Sequence, residues 1–289
     1  DSIKTIIIAG GTHGNELTGI KLYEKWAIDS KCYADRCPSA KITLVHTNIE
    51  ATEACRRYID LDLNRSFAES LLSLESPGAY EIRRAQELNK RFGPKGRDTR
   101  TDLLIDIHNT TANMGICLIL SARDPFTMRA SAELANEFPN AHIYYQPEER
   151  SESPYFGTIA KADICLEVGP QPHGTIDAKL FRETEQVVLR YLELAEEWNA
   201  GSLQKKPRRK VDIYTQYRDI DYPRDKFGHI TAMIHPDRRN GDYGEVKPGD
   251  PLFQTFDYRP VPYEGECSVW PIFIDESAYY EKRLAMSLT

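Results

Sequence analysis

The sequence predicts an α/β protein, a largely parallel sheet flanked by helices, with a smaller all-β unit at its C-terminal end. Three observations carry the prediction. Up to residue 199, short β-branched runs alternate with longer stretches of helical period, the texture of βα units. The basic stretch Lys205-Lys206-Pro207-Arg208-Arg209-Lys210 then interrupts the pattern. Beyond it, short apolar runs are cut by Pro and Gly, as in small β units. The division is expected near residues 201–210, giving units of 1–204 and 205–289.

Each element follows from its residues. Residues 5–9 are apolar and mostly β-branched and stop at Gly10-Gly11, a buried strand followed by a loop. Residues 15–28 read as a helix, with Leu17, Ile20, Leu22, Tyr23 and Trp26 at mixed three- and four-residue steps. A second strand is expected over 41–47 and an amphipathic helix over 80–92. Strands at 102–107 and 116–121, a helix at 125–138, and strands at 141–146 and 162–168 follow. A long helix over 178–199 closes the first unit. Mixed strands are expected near the sheet edges. In the second unit, strands are expected at 211–214, 229–234, 252–256 and 268–274.

Composition narrows the function. Hydrophobic residues make up 40% and charged residues 28% of the 289, enough to bury a sizeable core and against general disorder. A net charge of −7, with a single basic run that reads as a solvated linker, argues against a nucleic-acid partner. No apolar run approaches the ~20 residues that span a bilayer. The opening Asp1-Ser2-Ile3-Lys4 has no signal-peptide pattern, so a cytoplasmic location is the expectation. The six cysteines form no CxxC pair, and reduced thiols are expected, although Cys32 and Cys37 are spaced to bridge. The sequence sets no oligomeric state and leaves a homo-oligomer open.

Chemistry concentrates at two strand ends. The first strand runs into Gly10-Gly11-Thr12-His13-Gly14-Asn15-Glu16, where His13 and Glu16 sit three apart on a turn entering a helix. Another strand ends in Asp106-Ile107-His108-Asn109-Thr110-Thr111. Ligands of open α/β sheets gather outside the carboxyl ends of the strands. His13, Glu16 and His108 would give two nitrogens and one oxygen, the donor set of a catalytic zinc with an open position. On spacing alone, a metal site and ordinary hydrogen-bonded histidines stand about level. Asp106 reads as a strand-end residue satisfying nearby backbone donors.

Longer words carry more information. Gly10 to Gly19, the run Arg57-Tyr58-Ile59-Asp60-Leu61-Asp62-Leu63-Asn64-Arg65, Asp106 to Thr111, and Leu166-Glu167-Val168-Gly169-Pro170-Gln171-Pro172 resemble the aspartoacylase family. That family, of the aspartoacylase and aminoacylase-3 type, lies within the zinc carboxypeptidase-like amidohydrolases. The resemblance continues through Asp221-Tyr222-Pro223-Arg224-Asp225, Ile234-His235-Pro236, Pro248-Gly249-Asp250-Pro251 and Glu276 to Lys282, and so covers nearly the whole chain in order. It implies a mixed sheet flanked by helices, with the C-terminal β domain covering the active-site cleft.

The resemblance also implies roles. His13, Glu16 and His108 hold one zinc ion. Glu167 is the general base and acid, and Arg57 stabilises the oxyanion. Asn64 and Arg65 hold the α-carboxylate of a small N-acyl-amino acid. Tyr279 reaches the substrate, Glu276 supports it, and Lys282 lies near a side-chain carboxylate. Ile119, Phe273 and Thr110 line a small acyl pocket. Asp62 orients an arginine or a metal ligand.

One position departs from the pattern. Family members that prefer aspartate carry an arginine ten residues before the catalytic glutamate, where this chain has Gly157, and Ser153 replaces an aromatic hydroxyl. Arg150, Lys161 or Lys282 would have to replace that arginine for an anionic side chain. The first expectation is therefore N-acetyl-L-aspartate as substrate. Neutral or aromatic N-acetyl-amino acids come second, and a non-catalytic zinc-binding module last.

Overall fold

The computed structural model describes residues 2–96 and 98–289. Its large sheet is built from β1 (Thr5–Gly10), β2 (Lys41–His46), β3 (Leu103–Asn109), β4 (Gly115–Leu120), β5 (Ala141–Tyr145), β6 (Ala162–Gly169) and β7 (Ile213–Thr215). The α-helices are α1 (Leu17–Ile28), α2 (Lys31–Ala34), α3 (Ile49–Glu53), α4 (Glu69–Leu72), α5 (Tyr80–Phe92), α6 (Pro125–Glu137) and α7 (Ala178–Asn199).

β3 is buried along its whole length and β1 over its last five residues. Strands buried on both faces belong inside a sheet covered on two sides. Alternate residues divide accordingly. Ile6, Ile8, Leu103, Ile105 and Ile107 pack into the core shared with α1, α6 and α7. Ile7, Ala9 and Leu104 pack the opposite way, against Ala85 and Leu88 of α5 and against Leu63, Phe67 and Phe156. Gly10 brings α1 close to β1: a Cβ there would fall 2.3 Å from the Gly19 carbonyl oxygen.

The strand order is β2-β1-β3-β6-β4-β5-β7. β2, β1, β3 and β6 are parallel to one another, as are β4, β5 and β7, and β4 meets β6 antiparallel. The expected mixing near the edges is thus corrected: the direction reverses inside the sheet. Residues 110–114 alone join β3 to β4. A parallel crossover needs about a dozen residues or more, so this connection can only turn the chain back. β3 also continues to Asn109, which sets His108 within the ladder instead of beyond it.

The remaining strands are β8 (Arg218–Ile220), β9 (Ala232–Ile234), β10 (Pro251–Thr255), β11 (Pro260–Pro262), β12 (Pro271–Ile272) and β13 (Met286–Leu288). They form two three-stranded sheets, β11-β10-β9 and β12-β13-β8, around a core that includes Leu252, Phe253, Val269 and Met286. β8, β11 and β13 escape the sequence reading because two-to-three-residue ladders leave no periodicity to detect. Ile213–Thr215, grouped by sequence with the second unit, pairs with β5 as the edge of the large sheet. Ala112, Met114, Cys117 and Tyr144 of the large sheet and its loops pack on Ile272 and Phe273, joining the two parts. Among the described residues no helix is long and apolar enough to cross a membrane.

Candidate metal centre and active site

The carboxyl ends of β1, β3 and β6 converge. β1 leads into the turn that carries His13 and Glu16, just ahead of α1; His108 stands near the end of β3, and Glu167 faces it in the β3–β6 ladder. His13, Glu16 and His108 are all buried, and their ligand atoms lie within 4.8 Å of one another. Glu16 Oε1 is 2.7 Å from His13 Nδ1, and its Oε2 is 2.9 Å from His108 Nδ1. The two Nδ1 atoms are 3.1 Å apart.

The outer nitrogens settle the orientation. His13 Nε2 lies 3.0 Å from Asp62 Oδ1, and His108 Nε2 lies 2.8 Å from Asp106 Oδ2. Carboxylates on both Nε2 atoms fix both rings with Nδ1 directed at a common point, as metal-ligating histidines are held. This donor set of two imidazoles and a carboxylate fits a divalent ion of the zinc type. Burial pushes the Glu16 carboxyl up, but His13 and His108 overturn this and hold it well below the usual carboxylate range. Burial likewise opposes charge on His108, yet Asp106 and Glu16 raise it well above the ordinary histidine value.

Of the two places the sequence left open for Asp106, a backbone-satisfying residue or a member of the candidate motif, its contacts are those of the second. Its Oδ1 accepts from Thr12 Oγ1 (2.8 Å), tying the β1 loop to β3, while Oδ2 holds His108. The signal was available: residues 106 and 108 of one strand share a face. Asp62 reaches His13 Nε2 through Oδ1 and accepts from Arg57 Nη2 at 3.2 Å through Oδ2.

A cavity of about 200 Å³ opens beside this cluster, lined by His13, Glu16 and Glu167. His108 lies completely buried behind it. Arg57 lines it with Nη1 donating to Glu16 Oε1 at 3.1 Å. Burial, then the charges of Glu16 and Glu276, push the Glu167 carboxyl up to about 8, against the opposing pull of His108 and Arg57. Asn64 and Arg65 also line the wall. Asn64 Oδ1 accepts from the Phe156 backbone N–H (2.9 Å), and the Arg65 guanidinium stacks on Tyr155, 4.3 Å from the ring centre.

The C-terminal part supplies another wall. Phe273 and Tyr279 line the cavity in ring contact at 5.6 Å, with Ile119 and Thr110 from the large sheet and its loop. Lys282 Nζ sits 5.0 Å over the Tyr279 ring. Desolvation in the cavity wall and the charges of Arg65 and Arg57 push its ammonium down to about 8. Glu276 lines the cavity too, but its carboxylate is engaged. Oε2 accepts from Thr110 Oγ1 and from the backbone N–H groups of Thr111 (2.7 Å) and Ala112 (3.2 Å). Oε1 accepts from the Ala278 N–H (3.0 Å).

The surroundings of Gly157 answer the question of a substitute cation. Arg150 pairs with Asp163 and donates to Ser121 Oγ (3.1 Å) and to the carbonyls of Gly157 (3.1 Å) and Ala160 (2.6 Å). Lys161 donates to Asp102 Oδ1 at 2.7 Å. Neither lines the cavity; Asp163, Glu148 and Ser121, which the sequence reading did not single out, do. A Cβ on Gly157 would fall 2.3 Å from Asp163 Oδ2, so this carboxylate stands where a side chain would begin.

Comparison with known proteins agrees with this geometry. The signature of the succinylglutamate desuccinylase/aspartoacylase catalytic domain matches residues 2–195, and that of the AstE/AspA barrel-sandwich hybrid domain matches residues 209–289. The chain belongs to this family. It is 39% identical to a probable aspartoacylase of Trichodesmium erythraeum, over 99% of this chain and 97% of that one. It is 36% identical to the human N-acyl-aromatic-L-amino acid amidohydrolase (carboxylate-forming), over 100% of this chain and 91% of that one. The crystal structure of murine aminoacylase 3 superposes with a TM-score of 0.92 at 35% identity, covering 100% of this chain and 95% of that one. The chain is thus an aspartoacylase-like amidohydrolase with a buried His13–Glu16–His108 metal site.

Proposed function

We propose that the chain hydrolyses the amide bond of small N-acyl-L-amino acids, acetyl first among the acyl groups, and that it does so with one zinc ion. The carrying observation is the joint placement of the His–Glu–His cluster, Arg57 and Glu167 on one cavity. His13 Nδ1, Glu16 and His108 Nδ1 would hold the ion, which when bound polarises an amide carbonyl and eases loss of a proton from water.

The chain's own residues do the rest. Glu167 takes a proton from the attacking water and returns it to the leaving amine, so that water and amide become a carboxylate and a free amino acid. Arg57, fixed by Glu16 and Asp62, places a cation beside the carbonyl where negative charge develops. Arg65 and Asn64 take the α-carboxylate. Phe273 and Ile119 limit the acyl group, and the enclosing C-terminal wall excludes longer peptides. Six free thiols fit a reducing compartment, which supports a cytoplasmic location.

Side-chain preference follows from Gly157. With Arg150 and Lys161 committed elsewhere and Asp163 and Glu148 on the wall, an uncharged or aromatic side chain fits this end better than a carboxylate. N-acetyl-L-aspartate, the first expectation from sequence, keeps support from Lys282 on the same cavity. A panel of N-acetyl-aspartate, -glutamate, -leucine and -tyrosine, with zinc and with chelator, separates the readings. Tyrosine or leucine is expected to exceed aspartate by about tenfold in kcat/KM. The reverse order would make Lys282 the partner of the β-carboxylate.

A further inference from the structure

Glu81, in the first turn of α5, is completely buried and carries no part in the chemistry above. Its carboxylate accepts from the backbone N–H groups of Ile59 (2.7 Å), Asp60 (3.0 Å) and Leu61 (3.1 Å) and from Asn48 Nδ2 (3.2 Å). Three successive backbone donors around one carboxylate form an anion nest, and a helix N-terminus adds favourable potential. The contact is reciprocal, because Asp60 Oδ2 accepts from the Tyr80 N–H at 2.8 Å. The nested segment lies between Arg57 and Asp62. Arg57 donates to Glu16, Asp62 holds His13, and the Arg57 carbonyl accepts from the Gly14 N–H at 3.3 Å.

We propose that Glu81 is a positioning residue for the metal centre: by clamping residues 59–61 it sets where Asp62 meets His13 and where Arg57 meets Glu16. A carboxylate buried this far needs its donors to offset desolvation, and here every one comes from residues 48 and 59–61. Displacing the loop therefore reaches two of the three metal ligands through one side chain each. Glu81 touches neither ligand nor cavity, so its influence passes through the loop.

The test is a double-mutant cycle on zinc affinity, measured by chelator competition on the full chain. Glu81→Gln keeps the size but turns an amide N–H toward the loop donors. It is expected to weaken zinc binding about tenfold in the native background. In the Asp62→Asn background it should weaken binding less, by about threefold, because one of the two paths it acts through is already cut and only the Arg57–Glu16 contact is left to transmit it. Equal losses in both backgrounds, or unchanged zinc affinity with only a lower Tm, would overturn the proposal. Asp60→Ala removes the acceptor of the Tyr80 N–H, loosens the same clamp from the loop side, and takes its place in the cycle if Glu81→Gln does not fold. The effect on turnover rests on the deacylase reading, with kcat expected to fall more than KM rises. Zinc affinity does not rest on it, so a wrong substrate class and a wrong role for Glu81 give different results.

Discussion

At the residue scale, the two carboxylate–histidine pairs are where small changes should matter most. Asp62→Asn and Asp106→Asn each keep the side chain's size and remove the charge that orients a ring. Each is expected to lower zinc affinity about 10–100-fold, measured by chelator competition. Lys282 makes a pH prediction. Its ammonium is held down to about 8, so it is charged below that pH and neutral above it. If Lys282 receives an anionic side chain, the ratio of kcat/KM for N-acetyl-aspartate to that for N-acetyl-tyrosine falls as pH rises through about 8, since the titration of Glu167 acts on both substrates alike and cancels in the ratio. Parallel profiles for both substrates would remove Lys282 from side-chain recognition. His13, Glu16 and His108 were only half legible from their strand ends and tight turn, where a metal site and ordinary histidines stood level, and it was the longer family-like words that implied them as a ligand set. The partner of Asp106 was left open although its spacing from His108 was visible, since spacing shows a shared face but not a partner. Asp163 and Glu148 were not legible at all, because which carboxylate lines a cavity depends on the fold of residues 146–163.

At the element scale, the connection between β3 and β4 determines both topology and site. It reverses the chain in the middle of the sheet, and its residues Thr110 to Ala112 are held from outside by Glu276. Glu276→Ala leaves these donors unpaired at a cost of about 3 kcal/mol. The expected outcome is a Tm lower by roughly 6 °C in a thermal scan. An unchanged Tm would show that the loop is held without Glu276. Long helices such as Tyr80–Phe92 and Ala178–Asn199 were legible to the residue, since their apolar stripes run over several turns. The reversal between β6 and β4 was legible only in part: the short gap between the expected strands at 102–107 and 116–121 already required the chain to turn back, but the insertion of β6 between β3 and β4 has no local signal.

At the scale of the whole molecule, the C-terminal part completes a cavity that the large sheet leaves open. Phe273, Tyr279 and Lys282 face residues more than a hundred positions earlier in the chain. Closing the ligand cluster around an ion should stabilise the whole fold, because the unfolded chain has no such site. With zinc at about 1,000 times its Kd the gain is roughly 4 kcal/mol. Chelation is therefore expected to lower Tm by about 8 °C, and zinc to restore it. This junction was only partly legible. A C-terminal β unit over the cleft was expected, but Ile213–Thr215 joins the large sheet, a pairing no local pattern announces.

The central claim is that Glu167 performs proton transfer beside a metal held by His13, Glu16 and His108. The most direct measurement is acetate release from N-acetyl-tyrosine and N-acetyl-aspartate by zinc-loaded wild type and Glu167→Gln, with zinc counted per chain. One zinc per chain in both proteins is expected, with kcat in the variant lower by about 10²–10⁴-fold on whichever substrate the wild type turns over. A variant that keeps wild-type turnover, or a chelated wild type that loses zinc and still releases acetate, would contradict it.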